Sequence, residues 1–224
     1  MSKNLYIATM EPRAGKSVVA LGIMELLSRR LNKIGFFRPI TPDVEQDNNI
    51  QLIRKRYNLK LSYENMYAYR HSDAQRLVAA GQYNVLLKNI LTKYKELESQ
   101  SDFVLCEGTD YTGVASAFEF DFNADVANNL ACPVLGVVNG RGKTAREISE
   151  EIRFARESFE SHGCTILSMI ANRVAPINSS ALSEQFKRAA DAGESVYVLP
   201  EEPLLGHPTV GDVAITLKIG RAHV

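Results

Sequence analysis

Short continuous apolar runs alternate with longer amphipathic segments along the chain, and this alternation is the strongest constraint on its fold. The runs are "NLYIAT" (4–9), "IGFFRPI" (34–40), "DFVLCE" (102–107), "PVLGVVN" (133–139), "CTILSMIAN" (164–172) and "SVYVLP" (195–200). A strand with one face in water alternates apolar and polar residues, whereas strands this uniformly apolar need cover on both faces. The intervening segments at 16–32, 47–57, about 73–99, 123–131, 144–162 and 178–191 are read as helices. In "REISEEIRFARESFES", Ile148, Ile152, Phe154, Ala155 and Phe159 recur at near-helical spacing. The pattern predicts an α/β fold, a three-layer parallel sheet with helices on both faces. The stretch 62–99 is too long for a plain crossover. With "NVLLKNILTKYKELE" inside it, the prediction there is a helical insertion.

The 224 residues, 45% of them hydrophobic, suffice for one large core, and the expected domain is 1–218. The final string "IGRAHV" (219–224) cuts off an amphipathic helical segment, "TVGDVAITLK", with no capping residue after it. It is read as a non-native tail, with a longer natural protein expected beyond residue 218. Lys plus Arg and Asp plus Glu both number 26. That balance gives no electrostatic reason to expect nucleic acid or an anionic membrane as partner. No run reaches the roughly 18 apolar residues of a membrane helix. Arg13 and Lys16 interrupt what would otherwise read as a secretory leader, so the expected location is the cytoplasm. Cys106, Cys132 and Cys164 each lie in or beside an apolar run and read as buried thiols.

The chemistry sits where the first strand meets the first helix, in "ATMEPRAGKSVVA". Gly15-Lys16-Ser17 at such a junction is the end of a phosphate-binding P-loop. Backbone N–H groups there converge on phosphate oxygens at a helix N-terminus. The lysine reaches the outer phosphates, and the serine hydroxyl ligates magnesium. Arg13, Ala14, Gly15, Lys16 and Ser17 are therefore candidate contacts to ATP or another nucleotide with Mg2+. The motif's earlier glycine is missing, because Met10 stands in its place. A second triplet, Gly142-Lys143-Thr144, follows the run ending at Asn139 too closely to encircle phosphates, and reads as a polar strand-to-helix turn. Glu107 ends an inner strand and Asp47 follows the second strand, so with Ser17 they form a candidate magnesium set. Asn172, after the fifth strand, carries an amide able to read a nucleobase edge. No catalytic base stands out, and His71, His162 and His207 lack metal-ligand spacing.

Together these segments resemble the dethiobiotin-synthetase-like branch of P-loop proteins. That family's Lys-Pro after the second strand is answered by Arg38-Pro39 and its next acidic residue by Asp47. Its Val-Glu-Gly is answered by Cys106-Glu107-Gly108, its later Asn by Asn172, and its "PLLG" by 203–206. Arg38 departs from the family's substrate-binding lysine, keeping the charge but not the geometry. A closer resemblance, running in order over almost all of 4–218, is to the N-terminal domain of long bacterial phosphate acetyltransferases. It rests on "ATMEPRAGKSVVALGIMELLSRR", "GFFRPI", "SYENMY", "ILTKYKELE", "DFVLCEGTD", "PVLGVVNGRGKT" and "PEEPLLGHPTVGDVA". The resemblance implies a regulatory or structural P-loop domain that senses a nucleotide or metabolite effector and assembles homo-oligomers through the full-length protein. The full-length enzyme would transfer acetyl between coenzyme A and phosphate on a catalytic domain outside this chain. The alternatives are a stand-alone ATP-dependent ligase of the dethiobiotin type, with Arg38 holding a carboxylate, and a degenerate assembly domain with Lys16 solvated.

Overall fold

Among the described residues seven strands lie in the order β3-β2-β4-β1-β5-β6-β7, and every bonded pair is parallel. The computed structural model describes residues 3–109, 116–190 and 195–206; "TVGDVAITLK" and the 219–224 tail lie outside them. In chain order the elements are β1 (Asn4–Thr9), α1 (Lys16–Ser28), β2 (Ile34–Thr41), α2 (Asn48–Arg56), β3 (Tyr67–Arg70), α3 (His71–Ala79) and α4 (Tyr83–Glu98). They continue with β4 (Phe103–Glu107), α5 (Ser116–Asn129), β5 (Val134–Asn139), α6 (Ala145–Ser161), β6 (Ile166–Val174), α7 (Pro176–Ala190) and β7 (Val196–Pro200).

The uniformly apolar strands are explained by what lies on either side of them. On β1 the alternate residues Leu5 and Ile7 pack with Val19, Ala20 and Met24 of α1 and with Ile50 and Ile53 of α2. Their neighbours Tyr6 and Ala8 point the other way, into Leu86, Ile90 and Tyr94 of α4 and Phe122 and Val126 of α5. A third cluster joins Val138, Met169 and Ala171 of the sheet to Ile148 and Ile152 of α6 and Leu182 of α7. Each fully buried aromatic or aliphatic side chain contributes about 1.5–3 kcal/mol relative to leaving it in water. The central position of β1 puts its C-terminal end beside those of β4 and β5, in the crevice where parallel α/β sheets bind ligands.

The 62–99 stretch differs from its expectation. It holds a further parallel strand, β3, which pairs Arg38 with Tyr67 and Ile40 with Tyr69 at the edge of the sheet, followed by two helices. "YAYR" is four residues long and half-buried throughout, so it lacks the apolar run that marks the inner strands. Helix α5 starts at Ser116, well before the expected 123.

The three free thiols are buried, as their placement suggested. Burial drives Cys106 well above the ordinary thiol range, and Cys132 beside it adds to the effect. Burial, with the charge of Asp125, pushes Cys164 up to about 11. At pH 8 these thiols are expected to resist iodoacetamide in the folded protein and to be labelled fully in guanidinium, as read by mass spectrometry. Labelling of folded Cys106 at the unfolded rate would contradict the burial. An unfolded thiol ionises near about 8.5. The stabilisation from the raised values is therefore complete below that pH. It declines as pH climbs towards about 11 for Cys164.

Candidate functional site

The segment between β1 and α1 is tightly turned. Thr9 Oγ1 donates to the Glu11 carbonyl at 3.0 Å and accepts from the Glu11 N–H at 3.2 Å. Arg13 and Gly15 then take left-handed conformations, with φ of 61° and 87°. Gly15 caps α1, and its carbonyl accepts the N–H groups of Val18 and Val19 at 3.1 and 3.2 Å. Met10 packs against the core and Arg13 is exposed. The Asn172 amide donates to the Ala14 carbonyl at 2.8 Å, and a Cβ on Gly15 would lie 2.3 Å from that amide nitrogen. Gly15→Ala is therefore expected to destabilise the protein by about 2–3 kcal/mol, from the left-handed backbone plus the lost hydrogen bond. Urea denaturation measures this, and a midpoint equal to the parent's would show that the loop does not need its turn.

The next two residues face the end of β4. Lys16 is buried, and its Nζ donates to the Thr109 carbonyl at 2.8 Å. This corrects the expectation of a solvated lysine attached to the assembly-only reading. Ser17 Oγ donates to Glu107 Oε1 at 2.8 Å. Asn49, in the first turn of α2, donates its amide to Ser17 Oγ at 2.6 Å and to Glu107 Oε1 at 3.1 Å. Asp47 caps α2 by accepting the Ile50 N–H at 2.9 Å, and its other oxygen accepts from Arg38. Arg38 Nε lies 3.8 Å from Glu107 Oε2, so one guanidinium faces both carboxylates. All three charged groups are buried.

Ser17 and Glu107 of the expected magnesium set are thus in direct contact, and Asp47 joins them through Arg38. Among the described residues no three His, Cys, Asp or Glu side chains form a protein-only metal cage. Mg2+ is commonly held by one or two carboxylates plus substrate phosphates, and these hard oxygen donors suit that arrangement. Thr109 Oγ1 is buried with no hydrogen-bond partner among the described residues, a polar group of the kind a ligand satisfies. Asn172, expected to read a nucleobase edge, instead donates its amide to the Ala14 carbonyl of the loop.

Several residues of the site escape sequence reasoning. Asn123 of α5 accepts the Thr109 N–H at 3.0 Å and the Tyr6 hydroxyl at 2.8 Å, and donates to the Thr109 carbonyl at 3.3 Å. It thereby fixes the group that receives Lys16. Gly108 is required beside it, since a Cβ there would lie 2.6 Å from Asn123 Oδ1. Glu11 accepts the Asn139 N–H at 3.0 Å and Lys143 Nζ at 3.1 Å, while Lys143 also reaches Glu151 at 2.6 Å. Against burial, which favours the neutral amine, its hydrogen bonds to Glu151 and Glu11 hold the Lys143 ammonium above the ordinary lysine range. The second Gly-Lys-Thr is thus a turn: Thr144 and Glu147 form a capping box for α6, and Lys143 straps the first loop to it.

Comparison with known proteins agrees with this architecture. A family model described as an AAA domain matches residues 3–209. A phosphate acetyltransferase of Nitratidesulfovibrio vulgaris is 45% identical over 222 residues, covering 95% of this chain and 31% of that enzyme. The chain therefore spans about a third of the length of such relatives. An ATP-dependent dethiobiotin synthetase of Clostridium kluyveri is 30% identical over 118 residues, 49% of each chain. A nucleotide-binding protein of Archaeoglobus fulgidus, solved with ADP, superposes with a TM-score of 0.53 at 13% identity, covering 95% of this chain and 86% of its own. At that identity the likeness is one of fold, the nucleotide-binding P-loop fold. No helix among the described residues is long and apolar enough to cross a membrane.

Proposed function

The chain belongs to the AAA-domain family of P-loop proteins, and from that premise we propose that residues 1–218 are a regulatory, nucleotide-binding domain of a phosphate acetyltransferase. The observation that carries the nucleotide reading is the contact of Ser17 with Glu107 at 2.8 Å, next to the buried Lys16 at the start of α1. Lys16 and the N–H groups at the head of α1 would hold phosphate oxygens. Ser17, Glu107 and Asp47 would hold Mg2+. The metal's contribution when bound is to screen phosphate charge. The chain's own residues position and neutralise the ligand, and none is assigned a catalytic step, since turnover also needs a positioned nucleophile and charge stabilisation. The acetyl transfer between coenzyme A and phosphate belongs to the longer enzyme. Nucleotide, or a metabolite in its place, would act as effector through homo-oligomers of that enzyme.

The similarity to dethiobiotin synthetase supports a second reading, a ligase in which Arg38 holds a substrate carboxylate. The pairing of Arg38 with Asp47 speaks against it, because a substrate would have to displace an internal carboxylate. Isothermal titration of the chain with ATP, ADP and GTP in the presence of Mg2+ tests the proposal, with one saturable site expected. The companion experiment measures acetyl phosphate formation by the longer enzyme with and without that nucleotide. No binding by any nucleotide would overturn the proposal in favour of an assembly-only domain. Binding without an effect on rate would remove the regulatory part.

A further inference from the structure

We infer that Arg38 is an internal cation that competes with the divalent metal for Asp47 and Glu107. The inference rests on the nucleotide reading only for its consequence, not for its geometry. Asp47 and Glu107 are 3% and 1% exposed, and buried carboxylates persist as anions only where a counter-charge and hydrogen bonds replace water. Both conditions are met without a metal. Arg38 pairs with Asp47 Oδ2, its Nε lies 3.8 Å from Glu107 Oε2, and its side chain is only 9% exposed. The remaining carboxylate oxygens receive the Ile50 N–H, the Ser17 hydroxyl and the Asn49 amide.

Arginine suits this role better than lysine. Its guanidinium stays charged at any working pH, and its planar set of donors can serve two carboxylates at once, whereas an ammonium is a point charge. The guanidinium offsets half of the negative charge that Asp47 and Glu107 would otherwise present to a dication. A metal ion entering between the carboxylates would also meet the guanidinium at close range, where like charges repel strongly in a poorly solvated site. The nucleotide-free protein is therefore built to refuse Mg2+. Phosphate oxygens, held by the loop and Lys16, bring the extra negative charge that lets Arg38 release a carboxylate. Metal uptake thus follows the nucleotide, and by linkage the bound metal strengthens nucleotide binding by the same factor.

Manganese(II), followed by the paramagnetic resonance signal of the free ion, is the probe, with no nucleotide present. The parent protein is expected to bind it only weakly. Arg38→Gln, which leaves the carboxylates without their counter-charge, should bind it at least about tenfold tighter, and Arg38→Lys about threefold tighter. Adding Glu107→Gln to Arg38→Gln should abolish the gain, since it removes one of the two anions. Should Arg38→Gln fail to fold by circular dichroism, Arg38→Lys against the parent decides. Equal Mn2+ affinity in the parent and in every folded Arg38 variant would overturn the inference. A second arm compares ATP affinity in EDTA and in Mg2+, where by linkage the parent should gain about tenfold from the metal and Arg38→Gln, which takes up metal without nucleotide, less than about threefold. Equal ratios would contradict the competition. If no variant binds ATP, the nucleotide proposal fails while the Mn2+ titration still decides the role of Arg38.

Discussion

Glu107→Ala is expected to lower stability by about 3–5 kcal/mol, the range for breaking a buried charge pair by removing one partner. Glu107 is 1% exposed and is the meeting point of Ser17, Asn49 and Arg38. Its loss leaves the Ser17 hydroxyl and the Asn49 amide without their shared acceptor, and leaves Arg38 with Asp47 alone to balance it. Glu107→Gln keeps an oxygen for Ser17 and should lose about half as much, because the hydrogen bonds survive while the charge does not. Guanidinium denaturation of both variants measures the difference. If the alanine variant lost under about 1 kcal/mol, the cluster would be too well hydrated to work as a buried charge network, and the argument about Arg38 would weaken with it.

Lys16→Ala should reduce ATP affinity by about 10- to 100-fold, the loss that follows from removing a charge-assisted hydrogen bond to phosphate worth about 1.5–3 kcal/mol. Its effect on folding should be smaller, near 1 kcal/mol. The Thr109 carbonyl that it leaves still receives the Asn123 amide, and the variant no longer buries an ammonium. Titration calorimetry beside a melting curve separates the two effects. Unchanged ATP affinity in a folded Lys16→Ala variant would show that the lysine serves the scaffold and not a phosphate. The contrast between the variants matters: Glu107 holds the site together, whereas Lys16 is held ready by it.

Much of this was legible in the sequence, for a physical reason. An inner parallel strand has helices on both sides, so β1, β2, β4 and β5 had to be written as apolar runs, and Gly15-Lys16-Ser17 between a run and a helix marked the loop. Strand β3 has a sheet neighbour on one side only and is half-buried, so nothing in "YAYR" demanded apolar residues. Glu107 and Asp47 could be picked out as acidic residues after strands; Glu107 meets Ser17, and Asp47 is linked to that pair through Arg38. What holds them could not be read in the same way. Asn49 meets a carboxylate 58 positions further on, and the amide of Asn123 acts on Tyr6, 117 positions earlier. Asparagines have no pattern of their own in a helix, and only the folded topology selects their partners. Arg38 was visible as a departure from a lysine, but its hold on Asp47 depends on Asp47 capping α2, which no spacing rule states.

The placement of β1 between β4 and β5 also has a consequence for synthesis on the ribosome. Asn4 aligns with Val104 and Tyr6 with Val134, so β1 has no sheet partner until about a hundred further residues have been translated. At about 5–20 residues per second, that is a wait of roughly 5–20 seconds. During this interval "NLYIAT" and the loop behind it are a nascent hydrophobic segment open to chaperones, and the contacts of Lys16 with Thr109 and of Ser17 with Glu107 form only when residues 103–109 arrive.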